Sequence, residues 1–356
     1  MTTIAELDLL EILCCPKCHE TLHLQTSSVD EARETARHSP NADADSLRIL
    51  QCECGAKYPI VDGVPRLVED CQVSPSAEPE AQDGTGTSAN RKDDFDSIRR
   101  SFSREWQAFD YETDKTWGWT LEERKAVFLG DVGFDPRDLN GKRLLDAGCG
   151  NGTLTAVLSS FGMEVVGLDL NEGLGLANAR KRELVPASAD RVNFVQGNLF
   201  NPPLRERSFD LIYCSGVIHH TPSSKETFKK LVPLVKTGGR LYIWVYGYRA
   251  LPVRMFAGAG RSLKRIMSLE SVMRVCRVVS PFFKVSTEFL DATGLVKFRK
   301  RTCREITLDL FDMWAPRFNH WHKESEVQSW FREMGFTNIT ISGRQKHGFG
   351  CYGDRL

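Results

Sequence analysis

The sequence predicts an α/β fold in which a parallel sheet is covered by helices on both faces. Between residues 140 and 246, short apolar segments typical of β-strands alternate with segments of helical length. Such alternation is typical of a parallel sheet wound on both faces. The stretch LLDAGCGNGTL, Leu144 to Leu154, begins in the first apolar segment and indicates a strand that leads through a glycine-rich loop into a helix.

Length and composition limit the class of protein. The 356 residues are enough for about two domains. With 41% hydrophobic residues, 26% charged residues and a net charge of +0, the chain is typical of a soluble globular protein and unlike a wholly basic nucleic-acid binder. The N-terminal segment MTTIAELDLLEILCC lacks a basic region, and no apolar run reaches membrane-spanning length. We therefore expect a cytoplasmic protein whose 11 cysteines are reduced, metal-bound or buried.

Changes in composition divide the chain into four parts. Residues 1–70 form a cysteine-containing unit, and 71–94, which lacks aromatics and is rich in small residues, proline and acids, is predicted to be a flexible linker. Residues 95–139 are predicted to be a helical extension that either packs on the core or acts as a lid over a ligand. Residues 140–356 form the α/β domain, with a basic helical insert at about 247–322.

The elements of the α/β domain follow in order. The strand segments are RLLDAG, EVVGLDL, RVNFVQG, SFDLIYC, GGRLYIWVY, TNITISG and a final strand in KHGFGCYG. Helices are predicted at Leu154 to Phe161, at Ser223 to Val235 and in HKESEVQSWFREMGF. The last two strands lie close in sequence and predict an antiparallel hairpin at the edge of the sheet.

The strand ends carry residues suited to a nucleoside-containing ligand. Gly148, Gly150 and Gly152 give the spacing G-x-G-x-G, which differs from the G-x-G-x-x-G of dinucleotide sites. Asp169 ends the second strand, where a carboxylate accepts hydrogen bonds from ribose hydroxyls, and Asn198 follows the third. Ligands of such sheets bind at the carboxyl ends of the strands, so we expect these residues to share one crevice.

The motifs LDAGCGNG, GLDL, QGN, FDLIYCSGVIHH and LVKTGGRLYI occur in an order that resembles the class I, S-adenosylmethionine-dependent methyltransferases. The resemblance covers Asn140 to Gly353 apart from the insert, and implies a Rossmann-like sheet of seven strands. It implies these cofactor-binding residues: Asp146, Gly148, Cys149, Gly150, Asn151, Gly152, Asp169, Leu170, Asn198, Leu199 and Ser215.

The resemblance also implies a role for each part of the crevice. The glycine loop approaches the methionine part of the cofactor, with Asp146 near its amino group, and Asp169 holds the ribose. Asn198, where the family commonly has aspartate, and Leu199 flank the adenine. Ser215 lines the methyl side.

Two histidines after the fourth strand are the candidate catalytic residues. His219 and His220 suit a general base because histidine titrates near neutral pH, and His220 is the preferred candidate. The alternative is a helix-start or pocket-lining role. The segment FDMWAPRFNHWH either faces the substrate or is a linker packed on the core, and its relevant residues are Asp312, Trp314, Arg317, Asn319, His320 and His322.

The N-terminal unit contains two closely spaced cysteine pairs. Cys15 and Cys18 flank Pro-Lys, and Cys52 and Cys54 form the second pair, so the four thiolates suit tetrahedral zinc. The second pair departs from the usual spacing, which leaves three possible substitute ligands: Cys14, His19 and His23. With YPIVDGVPRLV, residues 7–69 resemble the zinc-ribbon domain that serves as activator partner of tRNA and protein methyltransferases. The resemblance implies a structural Zn²⁺.

The insert interleaves cationic and apolar residues, as in RMFAGAGRSLKRIMSLESVMRVCRVVSPFFK, and predicts one or two basic amphipathic helices. It is a cap over the active site, a surface that docks on anionic membrane or a lipid-linked substrate, or a patch for RNA phosphates. We expect an S-adenosylmethionine-dependent methyltransferase acting on a small molecule, a glycan or a lipid-linked intermediate. The alternatives are an RNA (tRNA) methyltransferase and a non-catalytic cofactor-binding scaffold.

Overall fold

The structure is a computed structural model that describes residues 9–26, 48–68, 120–249, 251–264, 267–292, 302–345 and 347–356. The predicted linker at 71–94 lies outside the described residues, as does the 95–119 part of the predicted lid. The strands are β1 Leu22–Thr26, β2 Arg48–Cys52, β3 Lys57–Val61, β4 Val64–Leu67, β5 Arg143–Ala147, β6 Glu164–Asp169, β7 Val192–Gly197, β8 Phe209–Ser215, β9 Val235–Tyr246, β10 Phe336–Gln345 and β11 Gly348–Arg355.

The helices match the predicted alternation. They are α1 Leu121–Val132, α2 Thr153–Leu158, α3 Leu174–Leu184, α4 Ser224–Leu231, α5 Leu251–Lys264, α6 Leu269–Ala292, α7 Cys303–Trp314 and α8 Glu324–Glu333. The predicted helix at 154–161 is α2 followed by a short 3₁₀ turn, and the one at 223–235 is α4 followed by another. Both ends tighten because a strand follows within a few residues.

The sheet has eleven strands in the order β1-β2-β3-β4-β7-β6-β5-β8-β9-β11-β10. The predicted number of seven strands was therefore wrong for the whole sheet. The α/β domain does contribute seven neighbouring strands, in the order β7-β6-β5-β8-β9-β11-β10. The other four belong to the N-terminal unit and join through a parallel pairing in which Arg66 lies opposite Gln196 and Leu67 opposite Gly197. This pairing supplies hydrogen-bond partners to β7, which would otherwise be an exposed edge.

The C-terminal hairpin completes the other edge. β10 and β11 pair antiparallel, and β11 also pairs antiparallel with β9. All pairings among β5 to β9 are parallel, so the carboxyl ends of these strands lie along one edge of the sheet. That edge carries the polar residues described below.

Both faces of the sheet are covered by buried apolar side chains. One face packs against α4 and α8, whose Phe228 and Phe331 rings meet edge to face at 4.7 Å between centroids. The other packs against α1, whose Phe128 meets Tyr213 at 5.1 Å. Asp131 of α1 is also buried and accepts a hydrogen bond from the Tyr213 hydroxyl at 2.8 Å.

The stretch at 254–284, predicted to form one or two helices, contains parts of two, α5 and α6, and a third helix, α7, follows later in the insert. α5, α6 and α7 share a small apolar core that includes Val272, Cys276, Phe311 and Trp314. The extra helix α7 begins at a capping box formed by Thr302, which the composition of the insert does not reveal. Among the described helices, none is long and apolar enough to cross a bilayer.

Candidate active site

The glycine loop between β5 and α2 is held in a conformation that suits only glycine. Gly148, Gly150 and Gly152 have φ angles of 85°, 56° and 73°. A Cβ atom on Gly148 would lie 2.3 Å from a methyl group of Val217, and one on Gly152 would lie 2.6 Å from Phe194. The loop is therefore fixed by the protein's own packing before any ligand arrives.

Asp146, the last acid before the loop, is buried. Its Oδ2 accepts a hydrogen bond from the Thr155 hydroxyl at 2.6 Å. Burial raises the pKa of Asp146 to about 6, although the Thr155 bond and the charge of Arg124 oppose this shift. Thr155 is a site residue that the sequence analysis missed, since nothing in its spacing marks it.

Asp169, at the end of β6, holds the glycine loop directly. Its Oδ2 accepts from the Gly150 N–H and its Oδ1 from the Asn171 N–H, both at 2.8 Å. Burial raises the pKa of Asp169, and the hydrogen bonds from Gly150 and Asn171 oppose this shift. A carboxylate offers about four lone-pair sites, so two hydrogen bonds leave capacity for ribose hydroxyls.

The remaining loop side chains support this arrangement. Asn171, also missed from sequence, donates from Nδ2 to the Gly150 carbonyl at 3.0 Å. Asn151 accepts from the Thr153 N–H at 3.0 Å and so begins α2. Cys149 is buried, and burial raises the pKa of its thiol well above the usual value. Its side chain packs with Leu174, Ala177 and Phe194.

The residues predicted near adenine lie beside the N-terminal unit. Asn198 Oδ1 accepts from the Phe200 N–H at 2.9 Å, and Leu199 is buried. The Leu170 carbonyl accepts from Gln196 Nε2 at 2.9 Å, which ties the end of β7 to the end of β6. These bonds fix the turn after β7, while the contact between Asn198 and adenine stays a prediction.

The two histidines after β8 are buried, and their rings lie in contact at a tilted angle. The ring centroid of His219 lies 4.2 Å from that of His220 and 4.1 Å from that of Tyr246. Burial lowers the pKa of His219 well below its usual value, and His219 Nδ1 has no hydrogen-bond partner among the described residues. His219 is therefore neutral. Ser215 precedes this pair at the end of β8.

His220 is positioned by residues far along the chain. Its Nδ1 faces the Phe318 carbonyl at 3.1 Å, and because a carbonyl only accepts, this nitrogen carries the hydrogen. Nε2 then faces Asp312 Oδ1 at 3.5 Å. The other oxygen of Asp312 accepts from the Tyr246 hydroxyl. A proton taken up at Nε2 would thus be stabilised by an adjacent carboxylate.

The segment that contains Asp312 closes against the same edge, but its members have different roles. His320 donates to the Thr221 carbonyl at 3.0 Å, and burial lowers its pKa to about 4. His322 lies between Glu326 and Ser224, at 3.0 and 2.9 Å. These contacts tie both histidines to neighbouring elements, and whether the segment also faces a substrate stays a prediction. The indole of Trp314 packs into the insert, whereas Arg317 is exposed.

The four predicted zinc ligands converge in the N-terminal unit. The sulfurs of Cys15, Cys18, Cys52 and Cys54 all lie within 4.8 Å of one another. The Cys15–Cys54 distance is 3.8 Å and the Cys18–Cys52 distance is 3.3 Å. Tetrahedral zinc with Zn–S bonds of about 2.3 Å separates its sulfurs by about 3.8 Å, so the four residues fit this ion.

None of the three substitute ligands belongs to that group: Cys14, His19 and His23 all lie outside it within the described residues. The cysteine turn touches the domain that carries the glycine loop. Asn201 Nδ2 donates to the Pro16 carbonyl at 2.5 Å, and the Cys14 N–H donates to the Pro203 carbonyl at 3.1 Å. The N-terminal unit thus supports the turn that contains Asn198.

Comparison with known proteins agrees with this geometry. The family described as "Methyltransferase domain" matches residues 145–243. The chain is similar to a ubiquinone biosynthesis O-methyltransferase from Paraburkholderia phymatum, with 36% identity over 30% of this chain and 44% of that protein. It is also similar to a demethylmenaquinone methyltransferase from Clavibacter sepedonicus, with 32% identity over 32% of this chain and 44% of that protein. The chain therefore spans less than half the length of these curated relatives.

Among solved structures, one similar protein is the 1,6-didemethyltoxoflavin-N1-methyltransferase of Burkholderia thailandensis. It has 17% identity and a TM-score of 0.46, and the match covers 79% of this chain and 100% of that one. Another is the magnesium protoporphyrin IX methyltransferase of Synechocystis, with 16% identity, a TM-score of 0.44, and coverage of 76% and 100%. From the family match and the order of the sheet, residues 145–243 are a methyltransferase domain with the Rossmann-like fold of class I, S-adenosylmethionine-dependent enzymes.

Proposed function

We propose that the protein transfers a methyl group from S-adenosylmethionine to a small acceptor molecule. The observation that carries this proposal is the preformed glycine loop, in which Asp169 accepts from the Gly150 N–H within a domain matched by the methyltransferase family. When bound, S-adenosylmethionine supplies a methyl group on a sulfonium, and most of the catalysis is positioning of the acceptor for in-line attack.

In this proposal, different residues of the crevice hold different parts of the cofactor. Asp146 attracts the cofactor's ammonium group, and Asp169 accepts from its ribose hydroxyls. Asn198 and Leu199 flank the adenine, and Ser215 faces the methyl group. The two carboxylates suit a ligand with one cationic end and one hydroxylated end, as this cofactor has.

His220 is the general base in this proposal, and the acceptor atom is a hydroxyl oxygen. The tautomer fixed by the Phe318 carbonyl leaves Nε2 to take the proton, and Asp312 stabilises the imidazolium that results. His219 is unsuited to this role because its burial opposes a positive charge. It instead offers Nδ1 as a hydrogen-bonding group to a bound acceptor.

We propose that the four-cysteine group holds a structural Zn²⁺. Four sulfur ligands leave no open position for catalysis, so no catalytic step involves this ion. The Tyr58 hydroxyl lies 3.3 Å from Cys15 Sγ and would donate to the bound thiolate. The ion fixes the turn that contacts Asn201 and thereby supports the adenine side of the crevice.

For the acceptor, one surface feature favours a lipid-linked molecule. Val278, Phe282, Val285 and Phe289 of α6 are 67, 71, 65 and 70% exposed, and their spacing places them on one face. This face is turned away from the buried Val272 side of the helix. Exposed Arg274 and Arg277 lie beside it, so the face has the charge and apolar area that suit an anionic bilayer surface.

Vesicle sedimentation tests this second candidate. Wild type should sediment with anionic phosphatidylglycerol vesicles more than with neutral phosphatidylcholine vesicles, and a Phe282→Glu/Phe289→Glu variant should remain in solution. Equal sedimentation of variant and wild type would exclude α6 as the docking face. An RNA acceptor stays a prediction that rests on the basic insert and on the resemblance of the N-terminal unit to the activator partner of tRNA methyltransferases.

The central proposal is tested by methyl-labelled S-adenosylmethionine incubated with the protein and fractionated cell extract. Label in a metabolite or lipid fraction supports it and identifies the acceptor. Label in RNA would favour the alternative of an RNA methyltransferase. Cofactor binding by calorimetry without transfer to any fraction would favour the non-catalytic scaffold.

A further inference from the structure

The insert places three arginines beside the predicted acceptor side of the crevice. Arg249 follows β9, while Arg254 and Arg261 lie seven residues apart on α5 and so share one face of that helix. Arg254 stacks over the rings of Tyr248 and Trp321, at 4.9 and 6.0 Å from their centroids. Arg261 lies 5.3 Å from the centroid of Trp321. Arg249 adjoins Tyr248 in sequence, and together with the four contacting residues it is called the arginine–aromatic cluster.

The cluster is joined to the histidines through the backbone. The Tyr248 N–H donates to the His322 carbonyl at 2.9 Å, and the His322 N–H donates to the Tyr246 carbonyl at 2.9 Å. Two residues earlier, the His320 N–H donates to the His219 carbonyl at 2.9 Å. Trp321 lies between these two anchor points, so the cluster borders the proposed acceptor site.

Two of the arginines are partly buried without a counter-charge. The Nε atoms of Arg249 and Arg254 are buried and have no hydrogen-bond partner among the described residues. Among the described residues, the one hydrogen bond of the Arg254 side chain runs from Nη1 to the Tyr248 hydroxyl, at 2.6 Å. The sequence has no acidic residue between Glu226 and Glu270, so neither α5 nor the loop before it offers a carboxylate. A partly dehydrated cation without an anion is costly, and a bound anion removes that cost.

Two other arginines of this protein bind carboxylates through the Nε and Nη2 edge of the guanidinium group, the edge that Arg254 leaves open. Arg137 binds Asp135 through Nε and Nη2, and Arg240 binds Asp354 in the same way. Arg254 bonds to Tyr248 through Nη1, which leaves its Nε and Nη2 edge for a planar anion.

We propose that the arginine–aromatic cluster is a subsite for an anionic group, a carboxylate or a phosphate, on the methyl acceptor. The anion binds the Nε edges of Arg249 and Arg254, and the charge of Arg261 contributes from the next turns of α5. The rings of Tyr248 and Trp321 hold the guanidinium groups in place. This inference rests on the proposed methyl transfer, because it assigns the cluster to that acceptor.

Calorimetry on the full-length protein saturated with S-adenosylhomocysteine tests the subsite. The probes are 4-hydroxybenzoate, its uncharged analogue 4-hydroxybenzamide, and inorganic pyrophosphate. We expect wild type to bind at least one of the two anions at least tenfold more tightly than the amide. Binding of 4-hydroxybenzoate alone indicates a carboxylate, and binding of pyrophosphate alone indicates a phosphate.

Arginine substitutions distinguish a specific anion subsite from a non-specific attraction of anions to positive charge. Arg249→Gln/Arg254→Gln should weaken anion binding at least tenfold, Arg254→Lys should give an intermediate affinity, and the control Arg182→Gln, at an exposed position on α3, should match wild type. If the double variant fails to fold, as judged by circular dichroism, Arg254→Lys with the same probes decides.

Two results would overturn the subsite: no preference for either anion over the amide, or an anion affinity unchanged by the Arg249 and Arg254 substitutions. The affinity for S-adenosylhomocysteine, measured in the same samples, should be the same in all variants. A wild type that does not bind S-adenosylhomocysteine would instead refute the proposed methyl transfer.

Discussion

The two ends of the crevice differ in how their polar groups are satisfied. At the cofactor end, Asp169, Gly150 and Asn171 bind one another within a short stretch of sequence, and the loop is complete without a ligand. At the acceptor end, His220 depends on a carbonyl 98 residues away, and the buried Nδ1 of His219 has no described partner. The first end is held together by its own hydrogen bonds, while in the proposed function the second leaves His219 Nδ1 for an acceptor to satisfy.

The largest expected effect falls on the acceptor end. His220→Ala should lower kcat about 100- to 10,000-fold with a hydroxyl acceptor, because it removes the proposed base. The affinity for S-adenosylhomocysteine should stay unchanged. Steady-state kinetics with the acceptor identified by the labelling experiment checks the rate, and calorimetry checks the affinity.

His23→Ala, an exposed histidine on β1, is the matched control and should keep full activity. Asp312→Asn should cost less than His220→Ala, about tenfold in kcat, because the base remains but its charged form is less stable. Full activity of His220→Ala would show that the histidine is structural and that positioning alone suffices.

Asp169→Ala should weaken S-adenosylhomocysteine binding about 100-fold or more, since hydrogen bonds to a charged group contribute about 1.5–3 kcal/mol each. Calorimetry measures the loss. Asp190→Ala removes an exposed carboxylate that pairs with Arg182 at 3.0 Å, and it should bind normally. An unchanged affinity in Asp169→Ala would contradict the proposal that Asp169 binds the ribose hydroxyls of the cofactor.

The difference between the two ends also explains which parts of the site could be predicted from the sequence. The glycine loop, Asp169 and the four cysteines are local patterns whose spacing reflects geometry, and the structure brings each set together. The pairing of His220 with Asp312 depends on how the insert folds back, and no spacing encodes it. The same reason accounts for the wrong strand count, because β4 meets β7 across a long stretch of chain.

The next prediction concerns the proposed zinc site of the N-terminal unit, which supports the turn that contains Asn198. Cys15→Ser/Cys18→Ser should release one equivalent of zinc and lower Tm by several degrees, since a structural zinc site contributes directly to folding. Elemental analysis and calorimetry measure these effects. Cys303→Ser, at the start of α7 and outside the cysteine group, is the control. A metal-free wild type of equal Tm would refute the zinc site.

The smallest expected effect is a pH dependence that separates binding from folding. The pKa of Asp146 is raised to about 6. Below that pH the carboxylate is protonated and attracts the cofactor's ammonium group less, so affinity for S-adenosylhomocysteine should fall about tenfold from pH 7 to pH 5. Stability should change in the opposite direction, because a raised carboxyl pKa favours the folded state at low pH and that contribution is lost as pH rises through about 6.

Asp131 provides the internal control for this prediction. Burial raises the pKa of Asp131 to about 6 as well, but this residue lies in α1 and bonds to Tyr213. Asp131→Asn should therefore alter the pH dependence of Tm and leave that of binding intact, whereas Asp146→Asn should flatten both. If Asp146→Asn binds the cofactor with unchanged pH dependence, Asp146 is a packing residue whose only partner is Thr155, and the cofactor end holds the ammonium group by other means.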